Sequence, residues 1–382
     1  MTVLAPRSCD MVKPGLGLLH GCHRRKSEQA GRRNFCQTLR SPGQASAMAI
    51  VIIYADKHKR TEIVMYLDAE QVTDALPWPA LIDALDDIFT REVHSPVRHH
   101  HHLPVSGEPD ATLLLMPAWI ENHYLGVKQV NVFPGNTARR EPGLTGHYLL
   151  SCARTGRHLA QFEANELTSR RTAAASALAS RYLSREDSSD LLMVGAGRMA
   201  RRLVPAHAAV RPIERVRVWD IHAESAAALV EELNGQGYQA EQVSDENLEQ
   251  AAGESDIISC ATLSQKPLIH GEWLNPGTHV DLVGSFTPAM READDDVMRR
   301  GHVFVDTRAG ALAESGDLID PIASGALSES DVQADFFDLC AKRHQGRGEL
   351  DAPDEAITVF KAVGASCEDL AAAITAYERS RH

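Results

Sequence analysis

Between Asp190 and Ala200 the chain reads DLLMVGAGRMA, an apolar run that stops at a glycine-x-glycine turn and continues into a helical pattern. A short apolar run bounded by glycine has the form of a buried strand. Gly195 permits a tight turn, Gly197 lets a ligand approach the backbone, and the small Ala200 lets helix and strand pack closely. An acid, Asp220, ends the next strand-like run, RVRVWD, at the separation used to hold a ribose. Strand, turn, helix and distal acid together predict a dinucleotide-binding unit. Its phosphates lie at a helix N-terminus, where free N–H groups and the helix dipole favour anions.

Gly195, Gly197, Arg198, Met199 and Ala200, with Asp220 and Ser285, form the expected cofactor set. An aspartate at position 220 favours NADH, because a 2′-phosphate is repelled. The same residue suits a helix cap before IHAES, and Arg198, Arg201 and Arg202 stand near enough in sequence to offset the repulsion. NADH or NADPH therefore both fit.

The rhythm around this unit extends the reading. DLLMVGAG, RVRVWD, YQAEQV, DIISCA, HVDLVG and VFVDT are strand candidates, several alternating with helical stretches such as AESAAALVEELN. Such alternation predicts parallel strands with helical crossovers, placed at 187–325. Upstream, LDAEQVTDALPWPALIDALDDIFTREV has the spacing of two short helices. PVRHHHHLPV, ATLLLMPAWI, YLGVKQVNVF, HYLLSCA and HLAQFEA then read as a mostly antiparallel sheet, followed by an alanine-rich helix in NELTSRRTAAASALASRYLS. This first domain is placed at 65–186 and is expected to be completed by a C-terminal helix over 355–380. Residues 1–48 are basic, poor in acids and aperiodic, which predicts disorder or a spurious extension ahead of a start at Met48 or Met65.

Bulk properties exclude several classes. A formal charge of -13 and a pI near 5.8 are wrong for a protein that tracks nucleic-acid phosphates. No apolar run approaches the roughly 18 to 20 residues that a membrane helix needs. Seven scattered cysteines point to reduced thiols and a cytoplasmic setting. The histidine run His99–His102 alternates faces if it is a strand, and no ligand set at zinc-like spacing accompanies it, so no metal is expected. Asp294, Asp295 and Asp296 fit a helix start, where acids complement the dipole. Cys260 fits a buried strand end.

Three cations remain. Lys128 lies inside the apolar run YLGVKQVNV, although buried ammonium groups are rare unless paired. Arg98 ends SPVR, and Arg171 opens the helix in ELTSRRTAAAS. Each alone suits a surface or helix-face charge. Their setting, however, is the order PVR, GVKQVNVFPGN, PGLTG, ANELTSRRTAAASALA, VGAGRMA, VDLVGSFTPAMRE, VFVDT, ESGDL and ITVFKAVGASCEDLAAA, which resembles the ornithine cyclodeaminase and mu-crystallin family across about residues 65 to 380.

The resemblance implies an α/β fold class: a Rossmann dinucleotide-binding domain plus an α+β substrate-binding and dimerisation domain. It also implies a homodimer joined through the first domains, NAD(P)(H) on the second domain and substrate in the cleft between them. Arg98, Lys128 and Arg171 match the family's substrate-carboxylate and reaction-centre residues, which puts Lys128 beside the nicotinamide as the catalytic group. Cyclodeaminases of this family carry an aspartate in the loop after the VG strand. Here VGSFTPAMRE puts Phe286 at that position, and a phenyl ring neither accepts a proton nor pairs with an ammonium. The same loop resembles the cyclic ketimine reductases, which convert Δ1-pyrroline-2-carboxylate to L-proline and Δ1-piperideine-2-carboxylate to L-pipecolate.

In that reading two arginines clamp the carboxylate of a small cyclic imino acid. Lys128 hydrogen-bonds the carboxylate or supplies the imine proton, and the cofactor supplies the hydride. Alternatives are an ammonia-releasing ornithine cyclodeaminase, an amino-acid dehydrogenase, and a non-catalytic cofactor-binding protein. Glu163, Asn165 and Asp306 are further site candidates, Asp306 equally well as a helix cap.

Overall fold

Two sheets with one long helix between them make up the computed structural model, which describes residues 52–54 and 62–381. The expectation for residues 1–48 lies outside these. The first sheet contains β1 (Ile52–Tyr54), β2 (Glu62–Leu67), β3 (His99–Leu103), β4 (Ala111–Ile120), β5 (Tyr124–Val132), β6 (Leu144–Cys152) and β7 (His158–Glu163), in the order β1-β2-β7-β6-β5-β4-β3. Pairing is antiparallel except where β2 lies parallel to β7. The sheet starts at Ile52, ahead of the boundary placed at residue 65.

Strand β5 is central, and its alternation decides where its lysine goes. Gly126, Lys128 and Val130 share the buried face, while Gln129 between them is exposed. Lys128 lies opposite Met116 of β4 and Tyr148 of β6, both buried. One step of register slip would turn the ammonium to the other face.

The second sheet contains β8 (Asp190–Val194), β9 (Arg215–Trp219), β10 (Gln239–Gln242), β11 (Ile257–Cys260), β12 (His279–Leu282), β13 (His302–Val305), β14 (Val332–Asp335) and β15 (Thr358–Lys361). All are parallel, in the order β10-β9-β8-β11-β12-β15-β13-β14. The order reverses between β8 and β11, the switch point at which doubly wound sheets hold ligands outside the carboxyl ends of their strands.

Here the expected boundaries need correction. The sheet does not end at residue 325: β14 lies beyond it, and β15 inserts between β12 and β13. The segment 355–380 is therefore not one helix. Thr358, Val359 and Phe360 are β-branched or aromatic and fully buried, as a central parallel strand requires. Gly364, at φ +84, turns the chain out of the strand before a helix over Ser366–Arg379. That helix packs on the first domain, against the helix Trp78–Ile88 and against β4 and β5.

The alanine-rich segment forms the helix Ala164–Leu183. Ala173, Ala174, Ala177 and Ala179 are buried, and the helix touches β6 and β7 of one sheet and β12 and β15 of the other. Burial around most of its circumference explains why it lacks a single apolar stripe. A sealed polar network fixes its position. Ser176 donates to Asp281 at 3.0 Å, Ser180 lies 2.9 Å from His207 Nδ1, and Ser259 donates to Asp281 at 2.7 Å. Burial works against the Asp281 charge, but His207, His279 and the Ser259 hydroxyl together outweigh that and hold its pKa below the usual carboxylate range. Among the described residues no helix is long and apolar enough to cross a membrane.

Candidate active site

The glycine turn after β8 has the geometry its residues require. Gly195 sits at φ +98 and donates to the Trp219 carbonyl at 2.7 Å; a Cβ there would lie 2.8 Å from the Ala261 carbonyl oxygen. A Cβ on Gly197 would meet nothing within 4 Å, so the backbone is open to a ligand at that point. Met199 and Ala200 begin the helix Ala200–Ala208, with Ala200 fully buried against the core. Asp220 accepts the Ala196 N–H at 2.7 Å through one oxygen and the His222 N–H at 2.8 Å through the other. It thus ties the turn to the end of β9. Each oxygen keeps a free lone pair for a ribose hydroxyl. These residues fit a dinucleotide.

Two of the three nearby arginines are committed elsewhere. Arg201 binds Glu232 at 2.8 Å and the carbonyls of Ala196 and Gly197. Arg202 forks onto Glu166 at 2.9 and 3.0 Å, joining the two domains. Arg198 is exposed. Ser285 is buried, and its hydroxyl donates to the Met290 carbonyl at 2.6 Å, lies 3.1 Å from Ser315 Oγ and accepts the Asp317 N–H. Its side chain shapes the loop after β12. Phe286, next to it, is 43% exposed.

The three cations converge. Lys128 Nζ lies 2.7 Å from Asp369 Oδ2, and Arg171 Nε donates to Asp369 Oδ1 at 2.9 Å. Arg171 Nη1 donates to Glu368 Oε2 at 2.6 Å. Arg98 Nη2 donates to the carbonyls of Val363 and Gly364 at 2.9 and 2.8 Å and pairs with Glu314 at 3.2 Å. Gly364 links the groups, since a Cβ there would collide with the Arg171 guanidinium. Asp306 ends β13 and accepts the N–H groups of Thr307, Val363 and Gly364 at 2.6, 2.8 and 2.6 Å, so it anchors the segment that holds Arg98. Three backbone donors leave it a structural staple.

Because β8, β12, β13 and β15 are parallel members of one sheet, the glycine turn, the Ser285 loop, Asp306 and Gly364 all leave the same carboxyl edge. Arg98 and Arg171 touch Gly364 or its carbonyl, so the cation cluster faces that edge from the first domain. A cavity of about 170 Å³ lies beside it, lined by Ser95, Arg98, Met116, Thr307, Glu314 and Gly364 among others.

Electrostatics sets the protonation states. Burial pushes the Lys128 ammonium down to about 8; Asp369 pulls it upward, and Arg171 and Arg98 add to the depression. Burial also works against the Asp369 charge, but Lys128 and Arg171 outweigh it and hold the carboxyl below its usual range. Glu368 is pushed up to about 7, chiefly by burial, with Arg171 opposing and Asp306 reinforcing.

Sequence reasoning missed the acids: Asp369, Glu368 and Glu314. The two adjacent acids of SCEDLAAA at a helix start were the available signal. Arg171 serves carboxylates through Nε and Nη1, and only its Nη2 has no carboxylate partner. Glu163 caps the helix Ala164–Leu183 by accepting the N–H groups of Asn165 and Glu166 at 2.9 and 2.7 Å, which accounts for its place before the arginine helix. Asn165 sits in the first turn of that helix, with its carbonyl accepting from Ser169.

Comparison with known proteins adds to this geometry. The model of the ornithine cyclodeaminase/mu-crystallin family matches residues 63–382. An uncharacterised protein of Schizosaccharomyces pombe is 54% identical over 82% of this chain and 96% of its own length. Delta(1)-pyrroline-2-carboxylate reductase of Paracoccus denitrificans is 41% identical over 75% of this chain and 92% of its own. Among solved structures, Delta(1)-pyrroline-2-carboxylate reductase of Thermococcus litoralis in complex with NADH and L-proline aligns with a TM-score of 0.75 at 31% identity, covering 83% of this chain and 97% of that one.

Proposed function

The chain belongs to the ornithine cyclodeaminase/mu-crystallin family, and from that premise we propose that it is an NADH-dependent oxidoreductase reducing cyclic ketimines, Δ1-pyrroline-2-carboxylate to L-proline and Δ1-piperideine-2-carboxylate to L-pipecolate. The observation that carries this reading is the Lys128 ammonium, buried, lowered to about 8 and flanked by two guanidinium groups at the carboxyl edge of the nucleotide-binding sheet. Reductases of Δ1-pyrroline-2-carboxylate among its relatives, one of them holding NADH and L-proline, support it.

The chemistry follows from the charges. A nicotinamide cofactor held by the Gly195–Ala200 turn and Asp220 would supply the hydride, and the imine nitrogen, which would take the C=N electron pair, needs a proton. Lys128 donates it or polarises the nitrogen by hydrogen bonding, and protonation makes the carbon a far better hydride acceptor. Arg98 and the free Nη2 of Arg171 hold the substrate carboxylate, each as a charge-assisted donor. Phe286 stands where cyclodeamination would need an acid. A homodimer in the cytoplasm, with free Cys152, Cys260, Cys340 and Cys367, completes the proposal.

One coupled assay tests it. NADH absorbance and released ammonia are followed together on cyclic imine, ornithine and pyruvate. Oxidation of NADH by either cyclic imine without ammonia release is the expected result. Ammonia from ornithine with no net oxidation would replace the reductase by a lyase, and silence on every substrate would leave a binding protein.

Cofactor preference provides a second test. With Asp220 presenting its charge to the ribose and both Arg201 and Arg202 engaged, NADH is expected to exceed NADPH in kcat/KM by about tenfold or more, equivalent to about 1.4 kcal/mol of discrimination. Asp220→Ala should raise the KM for NADH and narrow the ratio. An unchanged ratio would show that Asp220 serves the turn alone.

A further inference from the structure

The site holds one acid that its cations do not saturate. Glu368 places Oε2 on Arg171 Nη1 at 2.6 Å, but its Oε1 is buried without any hydrogen-bond partner. Three charged groups face this carboxyl: Arg171 from the helix Ala164–Leu183, Asp306 from the end of β13, and Asp369 beside it on its own helix. Cys367 precedes it, a buried thiol whose pKa lies above its ordinary value. Lys128 is bound to Asp369, and Arg98 meets Glu314 and two carbonyls through Nη2 alone.

The arrival of an anionic substrate changes this balance. Its carboxylate would share Arg171 with Asp369 and Glu368, three negative groups on one guanidinium in a buried space where uncompensated charge is expensive. One of them has to give up its charge. Asp369 is held ionised by two cations; burial pushes the Asp306 carboxyl up, but three backbone N–H groups oppose that and already occupy both of its oxygens. Glu368 has a single cation and one orphaned oxygen. We propose that Glu368 takes up a proton as the anionic imino acid binds, which keeps the site electrically balanced and brings inside the enzyme a proton equivalent to the one the imine nitrogen acquires. The inference rests on the ketimine reading above. In the free protein Glu368 already titrates near 7, so a further rise on binding spans the neutral range.

The sign of the linkage follows. A group whose pKa rises on binding favours binding below its free-state pKa and opposes it as pH climbs toward the bound-state value. The affinity for an anionic ligand should therefore weaken by close to tenfold per pH unit above about 7.

The probe is pyrrole-2-carboxylate, a planar ring acid with no reducible C=N bond, titrated calorimetrically into the full-length NADH-loaded protein at pH 7.5. Buffers of different ionisation enthalpy report the protons taken up. Wild type is expected to take up between about half and one proton per site, and Glu368→Gln to take up almost none, with an affinity flat in pH. Lys128 and Asp306 are the competing acceptors, so uptake that persists in Glu368→Gln assigns the proton to one of them and overturns the inference. Infrared difference spectra of wild type decide independently of whether the variant folds. The carbonyl stretch of a protonated carboxyl should appear on binding, and its absence sinks the assignment because an ammonium has no such band. Turnover of Δ1-pyrroline-2-carboxylate with no proton uptake refutes this inference alone. Absence of both turnover and probe binding refutes the reductase reading, and this inference with it.

Discussion

Lys128→Ala is expected to reduce turnover of a cyclic imine by on the order of 10² to 10⁴, the range contributed by a positioned proton donor, while leaving NADH binding intact. The two effects separate because the lysine stands on β5 of the first sheet and the glycine turn belongs to the other. Burial lowers the lysine to about 8, so the donor form is lost as pH rises through that value. Beyond the loss of affinity above about pH 7 that Glu368 imposes, the kcat/KM of wild type for the imine should fall more steeply above pH 8, and the residual activity of the variant should lack that second descent. Tryptophan fluorescence quenching by NADH and near-ultraviolet circular dichroism establish that the variant is folded. A folded variant with wild-type turnover would remove Lys128 from the chemistry and leave the arginines as simple anion binders.

Much of this was legible in the sequence, for a local reason. The turn at Gly195, the strands alternating with helices and the alanine-rich helix all depend on residues within about one element of each other, and period and glycine placement report such features directly. Strand β15 does not. ITVFKAVGASCEDLAAAITAYER has apolar residues at helical spacing throughout, and only the gap between β12 and β13 makes its residues Thr358–Lys361 a strand. That gap is created by segments between 53 and 82 residues earlier, positions 279–282 and 302–305 against 358–361. A window of local pattern cannot contain it.

The site divides along the same line. A lysine within an apolar strand stands out because ammonium groups are seldom buried. Its counter-ion does not stand out. Asp294, Asp295 and Asp296 and the pair Glu368 and Asp369 carry the same signature, acids at a helix start. Asp294 performs the ordinary duty, accepting the Val297 N–H at 3.0 Å as an N-cap. Glu368 and Asp369 lie in a first turn pressed against β5 and the arginine helix, fully buried, where the acids meet cations from other elements. Identical local chemistry reaches opposite ends because tertiary packing decides which helix start faces solvent.

Asp369 should accordingly be the residue whose loss harms the protein most. Asp369→Asn keeps the shape and removes the charge, leaving Lys128 without its only ion-pair partner among the described residues and Arg171 with Glu368 alone. Breaking a buried pair from one side costs about 3 to 5 kcal/mol, because the orphaned cation must stay charged in a buried space, as Arg171 does, or give up its proton, as Lys128 does, a fall in melting temperature on the order of 10 °C for a protein of this size. Deprived of the carboxylate that pulls its pKa upward, Lys128 should drop below 8 and become largely neutral at physiological pH, so activity falls even where the fold survives. The acid limb of stability moves as well. The depressed carboxyl of wild type contributes stability that is complete above its unfolded pKa and is lost as pH falls through the folded one, and the variant should lack this contribution. Adding Lys128→Met to Asp369→Asn removes one orphaned charge, so the double variant should recover at least about 1 kcal/mol relative to the sum of the single losses. Denaturant melts of the four proteins measure that coupling. A value near zero would mean that the 2.7 Å contact does not hold the lysine in place, and the ammonium would then owe its position to the strand alone.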